Sequence, residues 1–566
     1  MTHPDDRPHA FSPTATVLGW LYIVWPALLL VPVAIPGWTR VTTADALRAA
    51  AVTLACSAAL SAITRFRLGR VLAFSVTVLL PVELFYRASY GGPITPLLLM
   101  SVYETSGRES SELLLAHPWV FAGGAIFLIV TGILATLKVR PEPPGAGRLR
   151  LAALLLAAAY LGADSLVADR MSRDPGLPLQ NLREAVKYSF PGDALYSLGV
   201  DMRGRLAVAR AAARRQAFVF GDVSRVDPPE GPELYVVVIG ESSRRANWSM
   251  FGYDRDTNPE LAKIGPDLFP FANVISDGNF TISSIPLALT RATPSHPNRA
   301  VVEGSVIRLA EQAGFDTYWI SNQERYGTNE NTTSAIAQEA NHVTYVREAS
   351  GGAHTADFDT VLLKYLDEII EQPRRPPRLV LFLHTMGSHF DYRDRCPPSL
   401  ERFGPSGKIA RRGLTPARNS LVNEYDDSIL ATDDVLARII ERVRAAGGTS
   451  AIIYFSDHGE RLFDFPGAKA GHGFSVPAKV EVEIPFFVWA SDSYLAHRPG
   501  VAEALRRNRN VPASLDDFFD TFADMLSVWF KGFDPRQSLF SAQKDLHPVR
   551  TVLSPGGSVL DYRSLR

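Results

Sequence analysis

The 566-residue chain carries 58 Lys and Arg against 59 Asp and Glu, a formal net charge of −1, so nothing in its charge points to nucleic acid. Its two cysteines, Cys56 and Cys396, exclude a disulfide framework and a cysteine-rich zinc site. Hydrophobic residues make up 46% of the chain, but the long apolar runs crowd into its first third, which separates a membrane part from a soluble part.

Five long apolar segments come first, at Thr14–Trp38, Ala44–Ile63, Val71–Tyr86, Trp119–Leu137 and Leu149–Val167. Most approach the ~20 residues a helix needs to cross a bilayer. The third is shorter and carries Pro81 and Glu83. The first reads as a span and not as a cleaved signal, because it is long, lacks a strongly basic start and is followed by further spans. Arg65, Arg67 and Arg70 lie between the second and third spans, and Lys138, Arg140, Arg148 and Arg150 between the fourth and fifth. By the positive-inside rule both loops are cytoplasmic. The N-terminus is then inside, while the loop Ala88–Pro118 and everything after the fifth span are outside, which in a Gram-negative bacterium means the periplasm.

A basic stretch follows, from about Arg170 to Arg215, in which Arg203, Arg205, Arg210, Arg214 and Arg215 alternate with Leu, Val and Ala. It reads as an amphipathic linker lying on the membrane surface, although an exposed helix hairpin between two domains would show the same pattern. Asp227-Pro228-Pro229-Glu230-Gly231 marks a boundary. The expected division is 1–169 transmembrane, 170–231 juxtamembrane linker and 232–566 soluble domain.

Short apolar runs then recur at Leu234–Ile239, Thr317–Ile320, Leu379–Leu383, Ala451–Phe455 and Phe486–Trp489, each followed by a helical-looking stretch. Continuous apolar strands alternating with helices predict a mostly parallel sheet covered on both faces, with ligands bound at the carboxyl ends of its strands. Three of those ends carry suitable residues. Glu241 follows the first run, His384-Thr385-Met386-Gly387-Ser388-His389 the third, and Ser456-Asp457-His458-Gly459-Glu460 the fourth. A polar turn after a strand would explain any one of them; three on one sheet edge point to a metal site. Carboxylate and imidazole suit zinc, and an oxygen-rich set also accepts manganese or magnesium. Between Glu241 and the next run, Asp277-Gly278-Asn279-Phe280 reads as a turn and Thr281-Ile282-Ser283-Ser284 as the start of a helix. A hydroxyl there, beside a divalent cation, can act as a nucleophile on phosphorus, and Thr281, Ser283 and Ser284 all qualify by residue chemistry, although a simple N-cap is the commoner use.

Taken together, these residues resemble the phosphoethanolamine transferases of Gram-negative envelopes, in the alkaline phosphatase and sulfatase superfamily. The resemblance runs through most of the chain and is most specific from Ile239-Gly240-Glu241-Ser242 to Asn247-Trp248-Ser249-Met250-Phe251-Gly252-Tyr253-Asp254-Arg255-Asp256-Thr257-Asn258-Pro259. It implies five spans, a linker and a sulfatase-like α/β domain in the periplasm. It implies zinc, one ion or two, held by Glu241, Asp457, His458 and the oxygen of a Thr281 nucleophile. His389 and His472 fall where the family places histidines near the phosphate and a second metal, and Thr105 and Glu109 where a loop meets the donor head group; the Asn common before that Thr is Ser101 here. The cysteines that bracket the nucleophile loop in lipid A-modifying members are replaced by Asp277 and Leu287, and a Lys of that subgroup has no match within Ser321–Arg325. Thr317–Gln323 looks more like the cysteine-poor branch that modifies core heptose.

The activity implied is two-step transfer of phosphoethanolamine from phosphatidylethanolamine to lipopolysaccharide, on core heptose or lipid A, through Thr281. Loss of negative charge from the acceptor would weaken polycation binding, hence an expectation of polymyxin resistance. The alternatives are a phosphoglycerol transferase and a sulfatase-like hydrolase. Against the latter, Ser284-Ile285-Pro286-Leu287-Ala288 lacks the Arg of the formylglycine motif. A transporter or scaffold fits less well, because the spans carry few charges of the kind that mark a substrate path.

Overall fold

The computed structural model describes residues 25–34, 43–90, 92–96, 99, 114–115, 117–136, 145–172, 177–323, 332–346, 358–404 and 413–566. The chain divides into two units, residues 1–202 and 203–566.

In the first unit, α1 (Thr43–Ile63), α2 (Arg67–Thr77), α3 (Leu80–Tyr90), α4 (Pro118–Thr136), α5 (Ala146–Ser172) and α6 (Leu177–Tyr188) succeed one another, and α7 (Gly192–Gln216) runs on into the second unit. Three stretches are long and apolar enough to cross a membrane: Ala44–Ile63, Arg67–Tyr90 (α2 and α3 together) and Ala146–Val167. Pro118–Ile133 is apolar but shorter. Most of the first expected span lies outside the described residues; within it Trp25–Ala34 is helical. Apolar side chains such as Trp119, Ile126, Ile129, Leu155 and Leu156 are exposed, as they would be against lipid.

α1 and α5 run antiparallel, tied near one end by Arg48 Nε to Asp164 Oδ2 at 2.7 Å and near the other by Arg150 Nε to Ser61 Oγ at 3.0 Å. The two residues that made the third segment look unlike a span are both accommodated. Pro81 sits in the first turn of α3, where its missing N–H breaks no helix bond. Glu83 is buried against Arg87, whose Nη2 also meets Asp193 Oδ2 at 2.9 Å, and Glu83 Oε2 accepts the Ile94 N–H at 3.1 Å.

The second unit is built on a seven-stranded sheet. In chain order its strands are β1 (Glu233–Gly240), β2 (Leu268–Phe271), β3 (Asp316–Ser321), β4 (His342–Tyr345), β5 (Arg378–His384), β6 (Thr449–Ser456) and β7 (Phe486–Ala490). Across the sheet the order is β2-β7-β6-β1-β5-β3-β4. All five expected runs are present. The last, β7, is antiparallel to both neighbours, while the other pairings are parallel. The sequence reading missed both edges: β2 contains Pro270, which only an edge strand tolerates, and β4 is short and partly exposed.

Alternate residues feed two cores, which is why the strands read as unbroken apolar runs. Tyr235, Val237 and Ile239 of β1 join one cluster with Ile453 and Phe455 of β6, and Leu234, Val236 and Val238 join the other with Ile452 and Tyr454. Each buried aliphatic side chain contributes about 2 kcal/mol. α8 (Thr281–Leu289) and α9 (Val306–Gln312) pack into the first cluster, while α10 (Val361–Ile370) and the long α11 (Pro416–Ala446) cover the second. α11 begins where it does because Thr415 caps the Arg418 N–H and Pro416 occupies the first turn.

α11 also braces the loop after β1. Asp426, fully buried, accepts bonds from Asn247 Nδ2 at 2.5 Å, Tyr253 Oη at 2.8 Å and Arg255 Nη1 at 2.8 Å. The neighbouring Tyr425 Oη accepts the Arg244 N–H at 2.8 Å and donates to the Ser242 carbonyl at 2.7 Å. The Asn, Tyr and Arg of the specific sequence signature thus hold the backbone that carries Glu241. Asp426→Ala would leave Arg255 and the Asn247 amide without their anion, and is expected to cost about 3 kcal/mol of stability, read as a lower denaturant midpoint of the full chain with unchanged slope.

Candidate metal centre

The three central strands β6, β1 and β5 lie side by side, so the residues just past their carboxyl ends meet. Glu241 follows β1, and the turn is tight: Ser242 adopts φ 55°, and Gly387, after β5, adopts φ 48°. A Cβ on Gly387 would lie 2.6 Å from the Glu241 carbonyl oxygen, so only glycine lets the two loops touch. The Ser388 N–H then donates to that carbonyl at 2.9 Å. Asp457 and His458 follow β6, with the Asp457 N–H donating to the Gly240 carbonyl at 3.0 Å.

Glu241, Asp457 and His458 are almost wholly buried. His458 Nε2 lies 3.3 Å from Glu241 Oε1 and 3.5 Å from Asp457 Oδ2. His458 Nδ1 faces the Gly459 carbonyl at 2.8 Å, which assigns the proton there and leaves the Nε2 lone pair to the site. Thr281 Oγ1 donates to Glu241 Oε2 at 3.0 Å and sits 3.3 Å from His458 Nε2. Of the three hydroxyls the sequence offered, only this one reaches the carboxylates. Ser283 and Ser284 both turn back to the Phe280 carbonyl, at 3.0 and 2.9 Å. Thr281 is the first residue of α8, whose N-cap Phe280 supplies no side-chain cap, so the first-turn N–H groups and the helix dipole favour an anion beside it.

At the half-buried rim stand His472 and His389. His472 Nδ1 is 2.7 Å from Glu460 Oε2, and Tyr392 Oη donates to Glu460 Oε1 at 2.5 Å. The His472 ring lies 4.2 Å from that of His458 and 6.3 Å from that of His389. One ligand atom from each of Glu241, His458 and His472 falls within 4.8 Å of the others, so His472, expected near the phosphate and a second metal, is close enough to share an ion. Thr105 and Glu109, together with Ser101, lie outside the described residues.

Two contacts escaped the sequence reading. Gln323 Nε2 donates to Glu241 Oε2 at 3.2 Å and to the Thr385 carbonyl at 2.9 Å. Its signal was its place just past β3, on the same sheet edge. Glu460 was visible as the second acid after β6, but its partner lies twelve residues on, across a loop. The loop is fastened by Asn279, whose carbonyl accepts the Gly473 N–H at 2.9 Å and whose Nδ2 donates to Glu481 at 2.8 Å.

The electrostatics call for a cation. Burial drives the Asp457 carboxyl up to about 7, and the charge of Glu241 pushes the same way. Burial opposes protonation of His458, yet Asp457 and Glu241 raise it to about 10. Burial would raise Glu241 too, but the hydrogen bond and charge of His458 hold it well below the usual range. Asp457 Oδ2 is buried with no hydrogen-bond partner. Two carboxylates, an imidazole and a hydroxyl converging on one point, with an oxygen left over, fit a divalent ion with nitrogen and oxygen ligands; zinc suits the set. His384, by contrast, is a core histidine, held to Ser321 Oγ at 3.1 Å and kept neutral by burial, which lowers its pKa to about 4.

The sulfatase family model matches residues 233–528. Phosphoethanolamine transferase EptC of Escherichia coli is 30% identical over 340 residues, which cover 59% of this chain and 58% of the relative. The chain therefore spans less than two thirds of that relative's length. The C-terminal periplasmic domain of EptC from Escherichia coli, solved in complex with Zn, superposes with a TM-score of 0.56 at 27% identity, covering 61% of this chain and 96% of that one. For the fold of the whole chain, the integral membrane lipooligosaccharide phosphoethanolamine transferase A (EptA) from Neisseria meningitidis gives a TM-score of 0.69 at 18% identity, covering 94% of this chain and 99% of that one. The family model covers more than half of the chain and contains the whole buried cluster: the chain belongs to the sulfatase family, and within it resembles the phosphoethanolamine transferases.

Proposed function

We propose that this protein transfers phosphoethanolamine from phosphatidylethanolamine to lipopolysaccharide through a covalent intermediate on Thr281. The observation that carries the reading is the Thr281 hydroxyl, 3.0 Å from Glu241 and 3.3 Å from His458 at an uncapped helix start. A zinc ion in the Glu241, Asp457, His458 and Thr281 set supplies positive charge that lowers the pKa of an adjacent hydroxyl and offsets charge growing on phosphoryl oxygens.

The chain's own groups do the rest. Glu241 Oε2 orients the Thr281 hydroxyl for attack on phosphorus and accepts its hydrogen bond, while Gln323 and Ser242 hold the carboxylate still. As the new bond forms, the bond from phosphorus to the glycerol oxygen breaks. His472, fixed through Nδ1 by Glu460, is placed to give that oxygen a proton from Nε2. Diacylglycerol leaves. An acceptor hydroxyl or phosphate then attacks phosphorus, a hydroxyl passing its proton to His472 Nε2, and the bond to Thr281 Oγ1 breaks, leaving an alkoxide that takes back from solvent the proton released in the first step. His389 shares the rim, and Thr105 and Glu109 belong to this reading as contacts of the donor head group.

The same reading includes five membrane spans over 1–169, a linker over 170–231 and a catalytic domain over 232–566. It places the N-terminus in the cytoplasm and the catalytic domain in the periplasm, on the inner membrane. The cysteine-poor sequence favours core sugar as the acceptor.

Intact mass measurement of the full chain incubated with phosphatidylethanolamine tests the reading. A phosphoethanolamine adduct is expected, absent in Thr281→Ala and after chelation. An adduct only with phosphatidylglycerol would sink the choice of donor, and one that survives Thr281→Ala would sink the nucleophile. A second expectation concerns pH. The metal-free fold raises Asp457 from 3.8 to about 7, so this group's protonation stabilises that fold fully below pH 3.8 and not at all above about 7. Ion binding needs the carboxylate and neutral His458. Zinc affinity should therefore rise about tenfold to a hundredfold per pH unit below 7, measured by competition with a chromogenic chelator; a flat profile would contradict the ligand set.

A further inference from the structure

A cavity of about 210 Å³ opens between the largely apolar helices α1 and α5 and the more polar α6. Its polar lining is Arg48, Asp164, Ser165 and Asn181. It is far larger than the ~10–15 Å³ that one water needs. Arg48 donates from Nε to Asp164 at 2.7 Å and from Nη1 to Asp45 at 2.7 Å, and the three side chains are only 16%, 16% and 31% exposed. One cation and two anions in a membrane helix pair are costly, and such groups mark a functional site more often than a structural one.

The cavity's place along the helices is fixed by the antiparallel pairing of α1 and α5. It lies at the Arg48–Asp164 end, away from the Ser61–Arg150 end and the arginines at 65, 67 and 70. With that basic end in the cytoplasm, the cavity is level with the headgroups of the outer leaflet. The charged residues of its lining, Arg48 and Asp164, are one of each sign, and Asp45 is bonded to Arg48 without lining the cavity. Arginine suits a phosphate, and a carboxylate suits an ammonium that donates hydrogen bonds. A choline group has no N–H to donate, and a glycerol head group has no cation.

We propose that this cavity binds the head group of a phospholipid bearing a primary ammonium, with Arg48 on the phosphate and Asp164 on the ammonium. The choice of head group rests on the donor assignment above; the cavity would hold a waiting lipid apart from the reacting centre. Native mass spectrometry of the full chain in mild detergent, titrated with phosphatidylethanolamine, phosphatidylcholine or phosphatidylglycerol, tests it. The wild type should retain one more phosphatidylethanolamine than either Arg48→Gln or Ser165→Leu, with about tenfold preference over the other two lipids. Ser165→Leu fills the cavity without unbalancing the aspartates, so it keeps the test decisive if Arg48→Gln misfolds. Equal retention of all three lipids, or retention unchanged in Ser165→Leu, would overturn the proposal. Diacylglycerol release separates the two readings. Selective retention without release refutes the donor assignment and leaves this site standing; release without selective retention does the reverse.

Discussion

The second unit is organised around two carboxylates that fold into contact with one imidazole. Glu241 and Asp457 end adjacent parallel strands, and both face the same edge of His458. Buried negative charge at that density is unfavourable unless a cation offsets it. The surroundings read as compensation. The backbone N–H groups of Ser242 and His458 donate to Asp457 Oδ1, at 3.1 and 2.7 Å, and Ser242 Oγ and Gln323 attend Glu241. One oxygen of Asp457 is left over, and that is where chemistry enters.

Holding such a cluster takes more of the protein than the cluster itself. Asp426 gathers Asn247, Tyr253 and Arg255, and Asp359 accepts the Met386 and Gly387 N–H groups at 2.8 Å each, which shapes the loop after β5. These aspartates touch nothing that reacts. They fix backbone whose carbonyls and amides in turn fix Glu241, so geometry is transmitted from α11 and the loop before α10 to the strand ends.

The fold was legible where burial leaves a periodic mark. Five strands that fill two cores gave unbroken apolar runs, and the ends of two of them carried Glu241, Asp457 and His458. Edge strands β2 and β4 left no such mark, because one side of each lies open. The antiparallel direction of β7 was invisible for a related reason: a strand buried on both faces reads the same in either direction. Among Thr281, Ser283 and Ser284 the sequence could not choose, since the choice depends on which hydroxyl a helix start turns toward Glu241 and which it turns back to the Phe280 carbonyl. Gln323 became a functional candidate only when β3 ended on the same sheet edge as Glu241, and Glu460 only when the following loop brought His472 back to it. In the membrane unit, Glu83 looked like a flaw in a span; it pairs with Arg87, whose second anion, Asp193, lies more than a hundred residues away in sequence.

The centre has a closed floor and an open rim. Glu241, Asp457 and His458 are sealed, whereas His389 and His472 meet solvent. Floor and rim therefore respond differently to substitution. A substitution in the floor disturbs packed strand ends and the charge balance together, so it is tolerated only with simultaneous change elsewhere. A substitution at the rim changes what can approach the buried set without disturbing what lies beneath. What the centre admits can accordingly be altered one residue at a time around a preserved base.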